Sequence, residues 1–265
     1  MPEGDSLHRT ARTLERVLGK QRLTRVRSSL PAIVRAELAG HVVERVSARG
    51  KNLLIHFDDG RVLHTHLKMQ GAWHVYRPGE RFQRPEHHVR VVLEVADALA
   101  VCFSAPTVRL LAPNAFENDA YLNGLGPDLI PDEFDEETAV NGLSALAALP
   151  LGEAVMTQTA LAGIGNIWKS ETLFLCGLDP FAPVSAVPSQ SIVEIVRTAR
   201  RLLRASVAAQ TAQATVEGGR GRLWVYDRSG QPCRKCGTAI EMRRQGAHAR
   251  STYFCPKCQR VQSKP

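Results

Sequence analysis

The sequence predicts an α+β chain: a β-rich N-terminal part, then a helical segment, then a metal-bound tail. Three observations predict it. Short β-branched runs fill residues 41 to 111, helical periodicity follows after about residue 140, and two Cys-x-x-Cys pairs lie near the end. A length of 265 residues points to about two domains. An apolar fraction of 44% and a charged fraction of 23% exclude a disordered or fibrous chain. The longest uncharged stretches, Thr138 to Gly152 and Ala154 to Trp168, fall short of the ~20 apolar residues of a membrane span. The opening MPEGDS has no apolar core behind it, so no secretory signal and a cytoplasmic location are expected.

The first element is an amphipathic helix over residues 5–18. Leu7, Ala11, Leu14 and Leu18 share one face, Asp5 or Ser6 is the expected N-cap, and Gly19 ends it. VVERV, KNLLIHF, RVLHTHL, AWHVY, HVRVVLEV, LAVCFS and TVRLL then read as strands separated by turn signals such as DDG and RPGE. Consecutive strands without intervening helices argue for an antiparallel sandwich or barrel. An Ala-rich stretch, LAGIGNIWKSETLFLCGL, and SIVEIVRTARRLLRASVAA read as helical. In the last of these, Ile192, Ile195, Val196, Ala199, Leu202, Leu203 and Val207 fall at helical spacing.

Charge divides the chain. The net charge is +8, and residues 217–265 hold eleven Lys/Arg against three Asp/Glu. Residues 1–115 hold eighteen basic and eleven acidic residues, whereas 116–140 hold eight acids and no base. Two basic regions flanking an acidic stretch suggest a polyanion partner, most often nucleic acid, seated in a cleft between them. An ordinary soluble protein with a basic surface is the plainer alternative. The acidic PDEFDEET reads as a solvated linker or helix start that faces away from any polyanion.

Cys102 and Cys176 lie in apolar surroundings and read as core residues. Cys233, Cys236, Cys255 and Cys258 form two knuckles with 18 residues between them, the pattern of a four-thiolate zinc site. The segment between the knuckles has a central glycine and fits a β-hairpin, hence a zinc ribbon. Four sulfurs leave no open position, so this zinc is expected to be structural, and so short a tail relies on it to fold. Two disulfides or a redox dithiol are the alternative.

Pro2 and Glu3 carry the most specific chemistry. Removal of Met1 would expose a secondary amine that attacks an electrophilic carbon and forms an iminium with a sugar aldehyde. An α-amine titrates near about 8, and a helix N-terminus close by lowers that value. Glu3 lies near enough to shuttle protons. A proline that merely precedes a helix is the plain alternative.

Several motifs now agree. MPEG at 1–4, GKNLL at 50–54, GPDLI at 126–130, LAGIGNIWKSETLF at 161–174 and the four-cysteine ribbon, with Arg250 ahead of YFCPKCQ, resemble the formamidopyrimidine-DNA glycosylase / endonuclease VIII family. The match runs in order from residue 1 to about 260. The resemblance implies an N-terminal antiparallel β-sandwich with flanking helices (1–115), an acidic connector (116–140), a helix–two-turn–helix domain (141–222) and a zinc ribbon (223–265). It implies a DNA repair glycosylase that also cleaves abasic sites. Pro2 would attack C1′ and expel the damaged base, and the Schiff base would undergo β- and δ-elimination with Glu3 as acid/base. Lys51 would contact the phosphate and sugar at the lesion, Asn166 would bind a backbone phosphate, and Arg250 would grip the phosphate beside the flipped nucleotide, so the resemblance counts Lys51 and Arg250 with Pro2 and Glu3 among the catalytic residues. A base attacked in this way must leave the duplex, and an apolar wedge can fill the hole. Lys68, Met69 and Gln70, between two strand-like runs, are the expected wedge loop, although Met69 taken alone reads as core. Asn166 follows Gly163 and Gly165 at a helix start, where free N–H groups favour phosphate. Its plain alternative is an N-cap. Glu171 reads as a brace. The expected partner is damaged DNA, with one structural Zn²⁺, no membrane, a monomeric state and a nucleoid-associated place in the cytoplasm.

The sequence departs from the family pattern at three places. Asp5 and Ser6 stand where the family has proline and glutamate, which touches base recognition. SAPTVRLL at 104–111 lacks the Arg-Phe of the formamidopyrimidine branch, and QATVEGGRGRL leaves little chain for a lesion-capping loop. These features favour the endonuclease VIII branch and oxidised pyrimidines. An oxidised-purine glycosylase, a catalytically silent damaged-DNA binder and a zinc-ribbon transcription or RNA-binding module are the competing readings.

Overall fold

The structure is a computed structural model that describes residues 2–209 and 223–260. Met1 and most of the connection at 213–223 lie outside the described residues. The chain forms two compact units, residues 1–123 and 124–265.

In the first unit, helix α1 (Gly4–Leu18) is followed by β1 (Arg25–Ser28), a single turn of helix α2 (Pro31–Val34), and strands β2 (Val43–Arg49), β3 (Asn52–Phe57), β4 (Val62–His66) and β5 (Ala72–Tyr76). Strands β6 (Val89–Glu94), β7 (Leu99–Phe103) and β8 (Thr107–Leu111) and the short α3 (Ala120–Asn123) complete it. The strands form two antiparallel four-stranded sheets, β1-β6-β7-β5 and β2-β3-β4-β8. Strand periodicity explains their joint core. Leu53, Ile55 and Phe57 of β3 share one face and meet Val91 and Leu93 of β6 and Ala100 and Cys102 of β7. Leu7, Ala11, Leu14 and Leu18 of α1 close the same core. The sandwich is therefore the outcome of the sandwich-or-barrel choice. β3 is buried along its whole length, and on its other face Phe116 packs edge-on against His56. The sequence reading missed β1, whose polar RVRS carries no strand alternation.

The cap of α1 also differs from expectation. It is Glu3, not Asp5 or Ser6, and Ser6 is the third helical residue of a reciprocal capping box. Gly19 ends the helix as expected.

The second unit contains α4 (Glu136–Ser144), α5 (Leu151–Ala154), α6 (Asn166–Leu175) and α7 (Ser189–Ala208), then the hairpin β9 (Glu241–Gln245) and β10 (Arg250–Phe254). Trp168 of α6 is fully buried among Leu143, Leu151, Ile195, Ala199 and Leu203, one face from each helix. The acidic stretch is more than a solvated linker. Asp135 caps α4 by accepting from the Thr138 amide at 2.9 Å, and three arginines of α7 bind the segment. Arg200 donates to the carbonyls of Leu129, Pro131 and Asp132, Arg204 pairs with Asp132 at 2.6 Å, and Arg197 pairs with Glu136 at 2.8 Å. No helix among the described residues is long and apolar enough to cross a membrane.

Candidate functional site

In the first unit, Pro2 stands directly ahead of α1. Next to it, Glu3 is fully buried and its carboxylate accepts the Ser6 amide. In return the Glu3 amide donates to the Ser6 hydroxyl at 2.9 Å, and that hydroxyl donates to the Glu3 carbonyl at 2.8 Å. Ser6 thereby sets the backbone of residue 3. Buried Asp5 pairs with Arg9 at 2.9 Å on the same helix turn. A carboxylate at the N-terminal end of a helix interacts favourably with the N–H groups there, and a carboxylate beside a reacting amine can carry protons.

Lys51 is the second residue of the two-residue turn that joins β2 to β3, one position before the strand it was expected to open. Gly50 precedes it at φ 57°, a conformation that favours glycine. The neighbouring Asn52 is buried, and its side-chain oxygen accepts from His64 Nε2 at 2.8 Å. Burial pushes the His66 imidazole below its ordinary value, and the charges of Lys51 and Lys68 push the same way. Lys51, His66 and Lys68 thus share one basic patch, in which a neutral imidazole adds no like charge. The sequence reading passed over His66.

Lys68, Met69 and Gln70 form the turn between β4 and β5, and all three are exposed. Met69 is 69% exposed, which removes the core reading for it. Gly71 closes the turn onto the Leu67 carbonyl at 2.9 Å, and a Cβ there would lie 2.6 Å from that oxygen. Arg84 donates to the Gln70 carbonyl at 2.8 Å and braces the turn from the β5–β6 connection.

In the second unit, the GIGN loop leads into α6. Gly163 has φ 105°, which a residue with a Cβ rarely adopts. Gln158 staples the loop: its side chain accepts from the Gly163 amide and donates to the Ile164 carbonyl, each at 3.1 Å. The cap of α6 is Gly165, so Asn166 is its first helical residue and not the N-cap. The Asn166 side chain donates to the Ser251 hydroxyl at 3.1 Å, while its buried oxygen has no hydrogen-bond partner among the described residues. Arg250 opens β10 immediately before Ser251, half-buried. Asn166 and Arg250, 84 positions apart, are therefore held on adjoining structure. Glu171 is fully buried and accepts from the backbone amides of Trp224, Val225 and Tyr226 at 2.8 to 2.9 Å, as a brace would. Gln158, Lys169 and Ser251 carried no signal strong enough to be picked out in the sequence.

The four ribbon cysteines bring their sulfurs within 4.8 Å of one another. Cys233 and Cys258 sulfurs are 3.9 Å apart, and those of Cys236 and Cys255 are 3.5 Å apart. A tetrahedral zinc with Zn–S near about 2.3 Å separates its sulfurs by about 3.8 Å, so the set fits one closed, structural zinc. A disulfide needs about 2.0 Å, which excludes the two-disulfide alternative. Burial pushes the Cys102 thiol to about 12 and Cys176 to about 11, so both are inert core residues.

Comparison with known proteins covers nearly the whole chain. Residues 1–108 match the formamidopyrimidine-DNA glycosylase N-terminal domain, 125–217 match its H2TH domain, and 230–261 match the zinc finger found in FPG and IleRS. The chain is 39% identical over 263 residues to the probable endonuclease 8 2 of Streptomyces coelicolor, covering 98% of this chain and 94% of that protein. It is 37% identical over 260 residues to the DNA-(apurinic or apyrimidinic site) lyase Nei2 of Mycolicibacterium smegmatis, covering 98% and 99%. Its fold is that of Lactococcus lactis Fpg in a complex with DNA containing an abasic site, with a TM-score of 0.82 at 22% identity over 97% of this chain and 99% of that one.

Proposed function

This chain belongs to the formamidopyrimidine-DNA glycosylase / endonuclease VIII family, and we propose that it is a bifunctional DNA glycosylase and abasic-site lyase of base excision repair. The observation that supports this most is the pairing of Pro2 with a buried Glu3 at the capped, positive end of α1. With Met1 removed, the neutral Pro2 amine donates its lone pair to C1′ of the damaged nucleotide, and the base leaves with the glycosidic electrons. The nitrogen gives up its proton and its lone pair opens the sugar ring, breaking C1′–O4′ as O4′ takes a proton; the resulting iminium acidifies the C2′ hydrogen. Loss of that proton expels the 3′ phosphate in β-elimination, and the 5′ phosphate follows in δ-elimination. Glu3 moves the protons. Lys51, Asn166 and Arg250 hold the phosphates around the extruded nucleotide, and Lys68, Met69 and Gln70 fill the space it leaves. Zinc supports the ribbon on which Arg250 stands and takes no part in the chemistry.

The substrate is DNA carrying oxidised pyrimidines. Three exposed residues on a single turn, and the absence of an Arg-Phe pair in residues 104–111, support this branch of the family. The protein acts as a monomer on the nucleoid in the cytoplasm.

Borohydride trapping on a duplex with one abasic site tests the reading. The expected result is a covalent protein–DNA adduct that Pro2→Gly abolishes. Binding without an adduct would establish instead a silent damaged-DNA binder, the reading that Ser6 in place of the family glutamate favours. Excision from single-lesion duplexes tests the lesion class, with faster release of oxidised pyrimidines than of oxidised purines expected.

A further inference from the structure

We propose that Lys169 is a positioning residue of the phosphate grip: it locks β10 onto α6 and so holds Arg250 in fixed register with Asn166. The inference rests on the DNA-binding reading above. Asn166, Lys169 and Ser170 lie at i, i+3 and i+4 on one face of α6. They engage successive residues of β10. Asn166 donates to the Ser251 hydroxyl at 3.1 Å. Lys169 Nζ donates to the Ser251 carbonyl at 3.1 Å and to the Thr252 hydroxyl at 2.7 Å. The Tyr253 amide donates to the Ser170 hydroxyl at 3.4 Å.

Lys169 is fully exclued from solvent, in a helix whose other inward residues include Trp168, Leu173 and Phe174. An ammonium is costly to bury unless its donors are used, so an apolar side chain would fill this position at lower cost if packing were its only task. Its hydrogen bonds also extend outward. The Thr252 hydroxyl donates to Gln245 Oε1 at 2.9 Å, and Gln245 Nε2 donates to the Pro180 carbonyl at 2.8 Å, which ties β9 into the same network. Arg250 is the residue of β10 next to this zipper. A guanidinium binds phosphate through a planar fork, so its grip depends on the orientation of the strand that carries it.

The test is a double-mutant cycle on the full-length, zinc-loaded chain. Lys169→Met and Thr252→Val are made singly and each with Arg250→Ala. Binding to a duplex with a stable abasic-site analogue is measured across a salt series, and cleavage at an abasic site is measured for KM and kcat. Each single variant is expected to keep its zinc, to raise Kd and KM about tenfold, and to lower the salt slope by about one, as Arg250→Ala does. The loss falls on KM rather than kcat, and either change adds little once Arg250 is gone. The proposal is overturned if a folded variant binds and cleaves like wild type, or if its loss adds in full to that of Arg250→Ala. It is also overturned if both variants lose zinc, because the contacts then hold the ribbon together instead of orienting the grip. A wild-type chain that neither binds nor cleaves abasic DNA overturns the functional reading instead.

Discussion

The Glu171 carboxylate accepts the Val225 amide at 2.9 Å across 54 residues of sequence, and the same carboxylate takes the amides of Trp224 and Tyr226. A buried acid thus fixes the entry of the chain into the ribbon through three backbone donors. Removing it with Glu171→Ala strands three N–H groups in the interior and is expected to cost about 3–5 kcal/mol. Glu171→Gln keeps one oxygen but turns an amide donor toward an N–H. Both variants should lower the urea midpoint, alanine more than glutamine. An alanine variant as stable as wild type would show that the segment is held by other means.

Met69 stands on a turn pinned by Gly71, exposed to solvent. Its removal should leave the fold intact, so Met69→Ala is expected to change stability by no more than about 0.5 kcal/mol. Excision of a damaged base from duplex DNA should fall, because extrusion then leaves an unfilled gap in the stack. Cleavage at a pre-formed abasic site should fall less. Equal losses on the two substrates would remove Met69 from the wedge.

Two histidines make the first unit sensitive to acid. Burial, aided by Arg109, holds the His64 imidazole down to about 4, and burial with Arg45 holds His56 to about 4. Both are neutral when folded and take up a proton on unfolding below about 6.5. The unfolded state therefore binds more protons between pH 6.5 and 4, and stability is lost as pH falls through that window. Denaturation midpoints should be level above pH 7 and decline below about 6.5. His64→Gln, which keeps a donor for the buried Asn52 side chain, should flatten part of the decline. An unchanged slope in that variant would assign the acid sensitivity to other groups.

Zinc removal divides the six cysteines into two groups. In the zinc-loaded, folded chain, Cys102 and Cys176 are protected by burial and the other four by the metal. A thiol reagent should find few reactive groups until a chelator frees four, and the last two should appear only on unfolding. Chelation should also abolish DNA binding, since Arg250 stands on the ribbon. Full DNA affinity in metal-free protein would break that link.

Much of this was legible in residue order. Strands β2 to β8 announced themselves by β-branched runs between turns, and α7 by an apolar stripe that is buried as spaced. β1 was not, because an edge strand with polar side chains needs no alternation to pair with β6. The cap of α1 was misplaced by two or three residues, since Glu3 and Ser6 exchange bonds reciprocally and either end reads as a cap. Lys169 looked like an ordinary helix lysine. Its spacing from Asn166 was visible, but its partners lie on a strand 82 and 83 residues away.

By itself, residue order determined the types of the main elements, the four zinc ligands and the proline–glutamate start, since each depends on local periodicity or short spacing. Tertiary structure alone decided that the sheets form a sandwich, that Met69 is exposed, and that Asn166, Lys169 and Ser170 read three successive residues of β10. Those outcomes depend on distances and angles between segments far apart in the chain, and a hydrogen bond of about 3 Å tolerates little error in either.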